Sequence, residues 1–374
     1  GLAPFYDQNG DDLYDPCDGD YPIIEIRDCP KNIYPSNGEM IFWIYNDAGN
    51  VHTQSKGSEP IHMEVQVQAF AYATADELNN MTFQRYKLIN RATDLIRDCY
   101  FAMWLDPDLG CASDDYIGCD TTRSLMYVYN QDAQDGSTGC NCGSTPTYCS
   151  NIPMLGCDYF RGPLIISIDS IGNPIDTTPG RMTSFTYYSN GGTVPGPAGA
   201  DPSSSQEYYN YITGRWKDGT RLTHGGLGYD PTSTKYVNFA FIDEPCLNSG
   251  WSMASVSFPG QDFRTLQATG PLSLLPGQVN ELIIGLPWVP DVQHPKPCIE
   301  QIQQADDIAQ SLFDNCFELP VGPDAPDLDF IELNNELIMI MTNDSIISNN
   351  AYEAYKEPVL GAPKTATDTL YRFE

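Results

Sequence analysis

The stretch that decides the fold is residues 98–135, DCYFAMWLDPDLGCASDDYIGCDTTRSLMYVYNQDAQD. It begins as an apolar strand that ends at Leu105, just before the first pair of aspartates. After Cys99 the stretch has seven aspartates and a single base, Arg123. So many carboxylates beside buried aromatic residues would repel one another unless a cation lies among them. Oxygen ligands on short loops rich in Gly and Pro are what calcium prefers.

This concentration of acids predicts a calcium site on the loops that follow the strand. Each candidate ligand is an aspartate carboxylate: Asp106, Asp108, Asp114, Asp115 and Asp120. The alternative interpretation is a solvated acidic loop whose turns satisfy their own hydrogen bonds. A second acidic cluster at the start of the chain favours calcium over that alternative.

Residues 1–22 hold this second cluster, in which oxygen-bearing side chains alternate around Gly10. A short loop with this alternation can surround one cation. The predicted calcium ligands are the backbone carbonyl of Leu13 and the side chains of Asp7, Asn9, Asp11, Asp15 and Asp20. The loop meets the EF-hand pattern only in part, because it has no Glu at the twelfth position. It resembles the calcium loops of dockerin-like and thrombospondin-like repeats, and a floppy acidic terminus is the alternative interpretation.

The charge of the chain excludes several classes of partner. Its 374 residues carry 50 acidic and 19 basic side chains, a formal net charge of −31. A nucleic acid or an anionic membrane needs a basic surface, so neither is an expected partner. No stretch approaches the apolar length of a transmembrane helix. The length is enough for two or three domains with cores of their own, and a hydrophobic content of 41% is that of a globular protein.

Twelve cysteines, an even number, predict disulfides and an extracellular or cell-surface location. The alternative is a zinc site with four thiolates: Cys140, Cys142, Cys149 and Cys157. Their spacing lacks paired Cys-x-x-Cys knuckles, which favours disulfides. Cys298 and Cys316 should not pair with each other, because the helix predicted between them separates them by about 27 Å.

Short alternating segments between turns predict a mainly β protein, with a β-sandwich or jelly-roll-like core over residues 23–319. The predicted strands are residues 40–46, 63–72, 82–90, 99–105, 125–129, 164–169, 185–188, 237–241, 263–268, 270–274 and 281–288. The first four are expected to form an antiparallel meander, and the last two a pair joined at Pro276-Gly277. One amphipathic helix is predicted at 298–317, where apolar residues recur at helical spacing.

Residues 191–235 look like a long insertion on this core. Aromatic side chains in and near it could stack on sugar rings: Tyr208, Tyr211, Trp216 and Trp251. The alternative is that these rings pack within the loop itself, because a long ordered loop needs a small core of its own.

Residues 327–374 are about half of what an immunoglobulin-like sandwich needs, so the C-terminal β domain looks partial. Two strands, 328–333 and 336–341, are predicted around an Asn334-Asn335 turn. An apolar strand should not keep a bare edge in water, so a strand from another chain, or from a further part of the polypeptide, should complete the domain. With another chain as the donor, the contacts would build a homo-oligomer or a fibre.

Seven segments carry a further signal: residues 7–22, 104–110, 114–120, 127–130, 209–219, 285–289 and 305–314. They are similar to segments of large secreted Bacteroidota proteins of the type IX secretion class. The resemblance implies export and attachment to, or release from, the cell surface, and it supplies no catalytic residues. Asp followed by Ser or Thr and then by an aliphatic residue or Thr resembles the O-glycosylation signal of that phylum, which makes Thr177 and Ser345 candidate glycosylation sites.

None of the four histidines lies in a His-Glu-x-x-His helix or beside a Gly-x-Ser-x-Gly turn, so no catalytic residue is predicted. Paired carboxylates are abundant, but the sequence does not show which of them face a cleft. The sequence therefore favours a calcium-stabilised, secreted structural or adhesive protein. Glycan binding or glycan degradation is the alternative function.

Overall fold

The structure, a computed structural model, describes residues 3–29, 38–74, 77–168, 171, 174–192, 194–247, 249–317, 327–333, 336–342, 356–357 and 369–370. The protein is mainly β, with 39% of its residues in strands and 12% in helices, as the sequence pattern predicts. The chain divides into two compact units, Gly1–Asp306 and Asp307–Glu374. Each unit is described by itself below.

The longer elements are numbered in chain order. They are β1 (Gly38–Asn46), β2 (Met63–Tyr72), β3 (Met81–Asn90), β4 (Ile96–Leu105), β5 (Asp115–Asp120), β6 (Leu125–Asn130), β7 (Met154–Arg161), β8 (Leu164–Ile168), β9 (Pro174–Pro179), β10 (Ser184–Ser189), α1 (Ser205–Ile212), β11 (Phe263–Leu274), β12 (Val279–Val289), α2 (Glu300–Asp314), β13 (Asp327–Leu333) and β14 (Glu336–Thr342). Two-residue strands pair Phe5–Tyr6 with Tyr21–Pro22, Asn141–Cys142 with Thr145–Pro146, and Lys356–Glu357 with Thr369–Leu370. Short 3-10 turns lie at Pro16–Asp18, Thr53–Ser55, Glu77–Asn80 and Pro197–Gly199.

The two largest sheets of the first unit are antiparallel and share one hydrophobic core, and β8 pairs with β9 in a separate two-stranded sheet. The larger sheet has seven strands in the order β1-β2-β3-β12-β7-β6-β5, and the smaller has three in the order β10-β11-β4. Strand β2 shows why they pack: Met63, Val65 and Val67 are buried while the residues between them are partly exposed. The Tyr159 hydroxyl of the larger sheet donates to the Gln267 carbonyl of the smaller one at 2.5 Å. Such inter-sheet contacts are those of a β-sandwich.

The sequence located strands better than it assigned them to sheets. Strand β4 was expected to continue the meander, but it pairs with β11 in the smaller sheet, so the meander ends at β3. Strands β11 and β12 were expected to pair; instead the chain passes from one sheet to the other at the Pro276-Gly277 turn. The predicted strand at 237–241 is irregular, and Phe239 makes only an isolated bridge to Phe185. The alternation of apolar and polar residues shows which face of a strand is buried, but it does not show which strand lies next to it.

Strands β5, β7 and β9 were missed. Strand β5 is buried on both faces over its first five residues, and β7 is buried along most of its length. A strand buried on both faces has no polar alternation, so the period-two pattern is absent from its sequence. For β9, which is bounded by prolines, turn residues mask the strand pattern.

The segment at 191–235 is part of the core and not an addition to its surface. It contains α1, a second helix that the sequence did not predict, which begins after Ser204 as N-cap. Tyr211, Trp216 and Leu222 from this segment are each at most 2% exposed and belong to the main hydrophobic cluster. The predicted helix at 298–317 is confirmed as the shorter α2.

Eight cysteines are disulfide-bonded, which confirms the prediction of disulfides and suggests an oxidising environment. Three of the bridges are Cys111–Cys142, Cys140–Cys149 and Cys246–Cys298. The zinc alternative is wrong, because three of its four thiolates are used in these bridges. Cys298 and Cys316 do not pair with each other, as predicted. The thiols of Cys17, Cys99, Cys119 and Cys157 are free.

In the second unit, β13 and β14 form the predicted hairpin, with Leu333 opposite Glu336. Its turn, Asn334-Asn335, lies outside the described residues. Apolar side chains of the hairpin are exposed, including Phe330 at 56% and Met339 at 55%. No helix in the described part of the chain is long and apolar enough to span a membrane.

Candidate metal centre

The strand pair β5–β6, at one edge of the larger sheet, brings together polar residues that are far apart in sequence. Asp115, the first residue of β5, lies directly opposite Asn130, the last residue of β6. Asp114 immediately precedes the strand, and its carbonyl accepts from the Gln131 amide at 2.7 Å. This end of the hairpin is therefore where the acidic stretch folds back on itself.

Asp115 is 2% exposed and its carboxylate is only half satisfied. Its Oδ2 accepts from the Leu109 amide at 2.8 Å, whereas its Oδ1 is buried without a hydrogen-bond partner. Burial raises the pKa of Asp115 well above its ordinary value, and the charges of Asp114, Asp135 and Asp108 add to that effect. Every charge that raises this pKa belongs to another aspartate, so the site has an excess of negative charge.

Asn130 is completely buried and its amide is also half satisfied. Its Nδ2 donates to the Asp132 carbonyl at 3.2 Å, and its Oδ1 has no partner. Its backbone N–H donates to His294 Nε2 at 3.1 Å, while His294 Nδ1 lies 2.8 Å from the Val292 carbonyl. Burial lowers the pKa of His294, which favours a neutral ring there.

Asp114 and Asp135 complete the arrangement. Asp114 Oδ2 accepts from the Gly136 amide at 2.8 Å, and its buried Oδ1 has no partner. Burial raises the pKa of Asp114, as do the charges of Asp135 and Asp132. Asp135 is 0% exposed, and its two oxygens accept from the amides of Cys111 at 2.9 Å and Tyr148 at 2.6 Å.

We name Asp114, Asp115 and Asn130 the metal centre, because each has a buried oxygen with no hydrogen-bond partner. Buried polar atoms in folded proteins nearly always have a partner, so three such oxygens on residues at the same end of the β5–β6 hairpin require an explanation. Two carboxylates and an amide carbonyl are hard oxygen donors of the kind that calcium takes. The donor set therefore fits the predicted cation.

The five carboxylates predicted as ligands in this stretch lie in three different places. Only Asp114 and Asp115 belong to the metal centre. Asp106 and Asp108 lie with Asp262, their carboxylate oxygens within 4.8 Å of one another, and Arg264 pairs with Asp106 at 2.9 Å. At that place an arginine already supplies positive charge.

Asp120 lies at the opposite end of β5, away from the metal centre. Its Oδ2 is 3.0 Å from Arg123 Nη1 and 3.0 Å from Gln303 Nε2. These bonds satisfy its carboxylate within the protein. Asn130, which sequence reasoning missed, takes a place in the centre because of strand register, and no local motif reveals register.

The N-terminal loop is built around the side chain of Asp7. Asp7 Oδ1 accepts from the Gly10 amide at 2.6 Å and Oδ2 from the Asp12 amide at 2.8 Å. These backbone donors, Asp12 first, lower the pKa of Asp7. Asn9 Oδ1 accepts from the Asp11 amide at 3.1 Å, and Asp11 Oδ1 from the Leu13 amide at 2.8 Å. The predicted ligands at 7, 9 and 11 thus share one turn.

Asp20, a further predicted ligand, also receives backbone amides. It is 4% exposed, and its oxygens accept from the Gln8 and Asp15 amides at 2.9 Å each, so it holds the two ends of the loop together. Asp18 lies closer to the other candidates, since Asn9 Nδ2 donates to its carboxylate at 3.2 Å. The remaining predicted ligand, Asp15, accepts from the Cys17 amide at 2.8 Å.

Three of the four aromatic residues predicted to bind glycans are inside the protein. Tyr211 is 0% exposed and Trp216 and Trp251 are 2% exposed, and the indole N–H of each tryptophan donates to a backbone carbonyl. Their rings are therefore unavailable to a sugar, which corrects the prediction for these residues. Tyr208 is partly exposed, at 36%. Thr177 is exposed on β9, and Ser345 lies outside the described residues.

No protein-family model matches the sequence, and a search of curated proteins finds no match. The resemblance to secreted Bacteroidota proteins stays a prediction. Function is therefore inferred from the residues of the chain itself.

Proposed function

We propose that this chain is an extracellular structural or adhesive protein whose fold is stabilised by bound calcium. The observation that carries the proposal is the set of three buried, unpartnered oxygens on Asp114, Asp115 and Asn130. Leaving a buried acceptor without a partner costs about 1–3 kcal/mol, and more for a charged group. A cation bound by these oxygens would offset that cost and the repulsion among the aspartates.

The charges around the metal centre favour a bound cation over an arrangement in which the protein's own groups balance the aspartates. The groups that raise the pKa of Asp114 and Asp115 include Asp108, Asp132 and Asp135. With a net charge of −31 on the whole chain, attraction of divalent cations to such a site is favourable. The N-terminal loop, with Asp7, Asn9, Asp11 and Asp18 around one turn, is proposed as a second and more exposed calcium site.

The extracellular part of the proposal is supported by the disulfides. Reduced cytosolic proteins rarely keep such bridges, and extracellular calcium concentrations are high enough to fill sites of modest affinity. The resemblance to exported surface proteins agrees with this location. The structural part of the role is supported by acidic side chains that hold loops together, such as Asp20 and Asp135.

Self-association through the C-terminal hairpin is a further part of the proposal. An isolated two-stranded hairpin is marginally stable in water, and Phe330, Ile338 and Met339 of this hairpin are exposed. Sedimentation velocity over a range of protein concentrations tests it. Concentration-dependent oligomers that disappear in Met339→Lys support the proposal, and a monomer at every concentration contradicts it.

Native mass spectrometry and thermal unfolding in calcium or EDTA test the calcium role. We expect at least one retained calcium ion and an unfolding midpoint several degrees higher in calcium. A ligand at 100 times its Kd stabilises the folded state by about 2.7 kcal/mol. Asp115→Asn should lose an ion, while Asp120→Asn, at the other end of β5, should keep it. A protein that retains no calcium and has the same midpoint in both buffers would contradict the proposal.

A further inference from the structure

Three aromatic side chains form a row on the surface of the smaller sheet, beside helix α1. Tyr100 and Trp104 belong to β4, an edge strand of that sheet, and Tyr209 belongs to α1. Trp104 is 50% exposed, Tyr209 is 39% exposed and Tyr100 is partly exposed. None of the three is part of the main hydrophobic cluster, although the nearby Tyr188 and Tyr211 are. We name Tyr100, Trp104 and Tyr209 the aromatic row.

Strand alternation places Tyr100 and Trp104 on the same face of β4. Phe101 and Met103, which lie between them in the sequence, pack in the hydrophobic core, so the two rings face away from it. Ala102, the small residue between the rings, faces the same way as they do. Tyr100 and Trp104 are four residues apart along the strand, a distance of about 13 Å. A ligand that contacts both rings must therefore be an elongated molecule.

Contacts within the protein fix the orientation of each ring. The indole N–H of Trp104 donates to the Tyr188 hydroxyl at 2.7 Å. The rings of Tyr100 and Tyr209 meet edge to face, with their centroids 5.7 Å apart. Tyr100 also lies against Gly270 of β11, where a side chain would collide with its ring. Rings that are ordered before a ligand arrives reduce the entropy cost of binding.

Polar groups lie at both ends of the aromatic row. At one end, the Tyr209 hydroxyl donates to the Asp98 carbonyl at 3.2 Å, which brings Asp98 beside the row. At the other end, Asp106 follows Trp104 by two residues and pairs with Arg264 at 2.9 Å. Carboxylate, guanidinium and phenol groups all form hydrogen bonds with hydroxyl groups. Because Arg264 already balances Asp106, this end offers hydrogen bonds without attracting a cation strongly.

We propose that the aromatic row binds an extended chain of neutral sugars. A sugar ring has an apolar C–H face, which stacks on an aromatic ring, and hydroxyl groups at its edge, which bond to polar groups such as those at the ends of the row. A polyanionic ligand is disfavoured, because the chain itself carries a net charge of −31. The inference goes beyond the proposed function and does not depend on bound calcium.

Two other kinds of ligand are recognised by aromatic side chains, and both fit the row less well. Proline-rich peptides dock in grooves lined by aromatic rings, whereas Tyr100 and Trp104 follow one another along an edge strand. A cation over a ring is bound most tightly where acids around the ring are free, whereas Asp106 is paired with Arg264. Both kinds of ligand serve as comparisons in the test.

Isothermal titration calorimetry of the full chain in calcium buffer tests the proposal. The probes are cellohexaose, mannohexaose and xylohexaose, each an extended chain of neutral sugars. We expect saturable binding of at least one of them. Its disaccharide should bind at least about tenfold more weakly, because it is too short to contact both Tyr100 and Trp104. Binding of decaproline or hexalysine in place of all three sugar chains would overturn the proposal, as would no binding of any probe.

Variants of the exposed rings connect binding to the aromatic row. Trp104→Ala and Tyr209→Ala remove one ring each, on two different elements, and each should weaken binding about fivefold to tenfold. Trp104→Phe keeps a ring and should bind more tightly than Trp104→Ala. Trp43→Ala is the matched control, because Trp43 is 39% exposed on β1, the edge strand of the larger sheet. Thermal unfolding confirms that each variant is folded. Unchanged affinity in both ring-deleted variants would contradict the assignment.

Hydrogen–deuterium exchange locates the bound sugar without any substitution. With the sugar chain that binds, peptides from β4 and α1 should exchange more slowly, and peptides from β1 should not change. Protection that excludes both β4 and α1 would place the sugar elsewhere and overturn the inference. Calcium retention is measured separately by native mass spectrometry, so a failure to bind sugar leaves the proposed calcium role standing.

Discussion

Glu281 and Asp115 are both carboxylates buried in the larger sheet, and their neighbours carry opposite charges. Glu281, 5% exposed on β12, receives Arg85 Nε at 2.7 Å on one oxygen and pairs with Arg161 on the other. Arg85 is held further by Gln68 Oε1 at 2.9 Å. The charges around Asp115 belong to aspartates.

In one cluster the protein supplies the positive charges that balance the carboxylate, and in the other the neighbouring charges are also negative. Around Glu281, strands β3 and β7 contribute the arginines, and every Glu281 oxygen has a partner. Around Asp115, three oxygens have none. The first cluster therefore needs no ion from solution, whereas the proposed function assigns a cation to the second.

The largest effect is expected from breaking the complete cluster. Glu281→Gln removes the negative charge that faces the buried guanidinium group of Arg85, and it leaves Arg161 with the exposed carboxylate of Asp28 at 3.6 Å. Removing one partner of a buried ion pair costs about 3–5 kcal/mol. Urea unfolding measures this loss, which should be the same in calcium and in EDTA.

Glu64→Gln is the control for that experiment. Glu64 pairs with Arg91 at 3.0 Å on the surface, where solvent screens the charges, so its loss should change the midpoint little. Equal midpoints for Glu281→Gln and Glu64→Gln would show that the buried cluster does not stabilise the sheet.

The second prediction is an effect whose sign depends on the buffer. In EDTA, Asp115→Asn replaces a carboxyl group whose pKa is raised by burial and by neighbouring aspartates, so the folded state no longer opposes its ionisation, and we expect the unfolding free energy to rise by about 1–2 kcal/mol. In calcium the same variant has lost a ligand and should be less stable than the wild type. Thermal unfolding in the two buffers measures both values. If the variant changed the unfolding free energy in the same direction in both buffers, Asp115 would not differ from Glu281 in its dependence on calcium.

The third prediction concerns Asp158, a buried carboxylate on β7. Its Oδ1 has no partner, and burial, followed by the charge of Asp306, raises its pKa well above the ordinary value of 3.8. The folded state therefore keeps a proton that the unfolded chain releases. The resulting stability is complete below pH 3.8 and is lost as the pH rises from there towards the raised pKa.

Asp158→Asn should reduce this loss. Between acidic and mildly alkaline pH, the unfolding free energy of the variant should fall by about 1 kcal/mol less than that of the wild type. Unfolding midpoints measured in EDTA at a series of pH values give the comparison. Asp306→Asn should act in the same direction. Parallel pH profiles for the wild type and Asp158→Asn would contradict the raised pKa.

The sequence predicted the class of the fold because the outer strands of the larger sheet alternate. Strand β2 was placed at its observed bounds, since its buried Val65 and Val67 are separated by more polar residues. Strands β5 and β7 were missed, although β6 and β10, which are buried at least as completely, were predicted. The sequence also could not assign strands to sheets, because sheet membership depends on long-range pairing. The β4 sequence is equally compatible with either sheet.

The sequence also predicted part of the candidate site. Acid density identified Asp114 and Asp115, because a surplus of like charge is visible in sequence. It also included Asp106 and Asp120, whose partners Arg264 and Arg123 neutralise them. Arg264 is remote in sequence and adjacent only after β11 pairs with β4. Asn130 was missed because it carries no charge.

The smallest effect is expected in the N-terminal loop, which is as acidic as the metal centre but exposed. Backbone amides already lower the pKa of Asp7, whereas burial raises that of Asp115. Water and these amides stabilise the charge of Asp7 without a cation, so calcium should bind here more weakly and contribute little to global stability. Asp7→Ala should therefore remove one weakly bound calcium ion in native mass spectrometry. Exchange at the amides of Gly10 and Asp12 should become faster, with an unchanged unfolding midpoint. A large fall in the midpoint would mean that the exposed loop, and not the buried centre, is the cation site on which the fold depends.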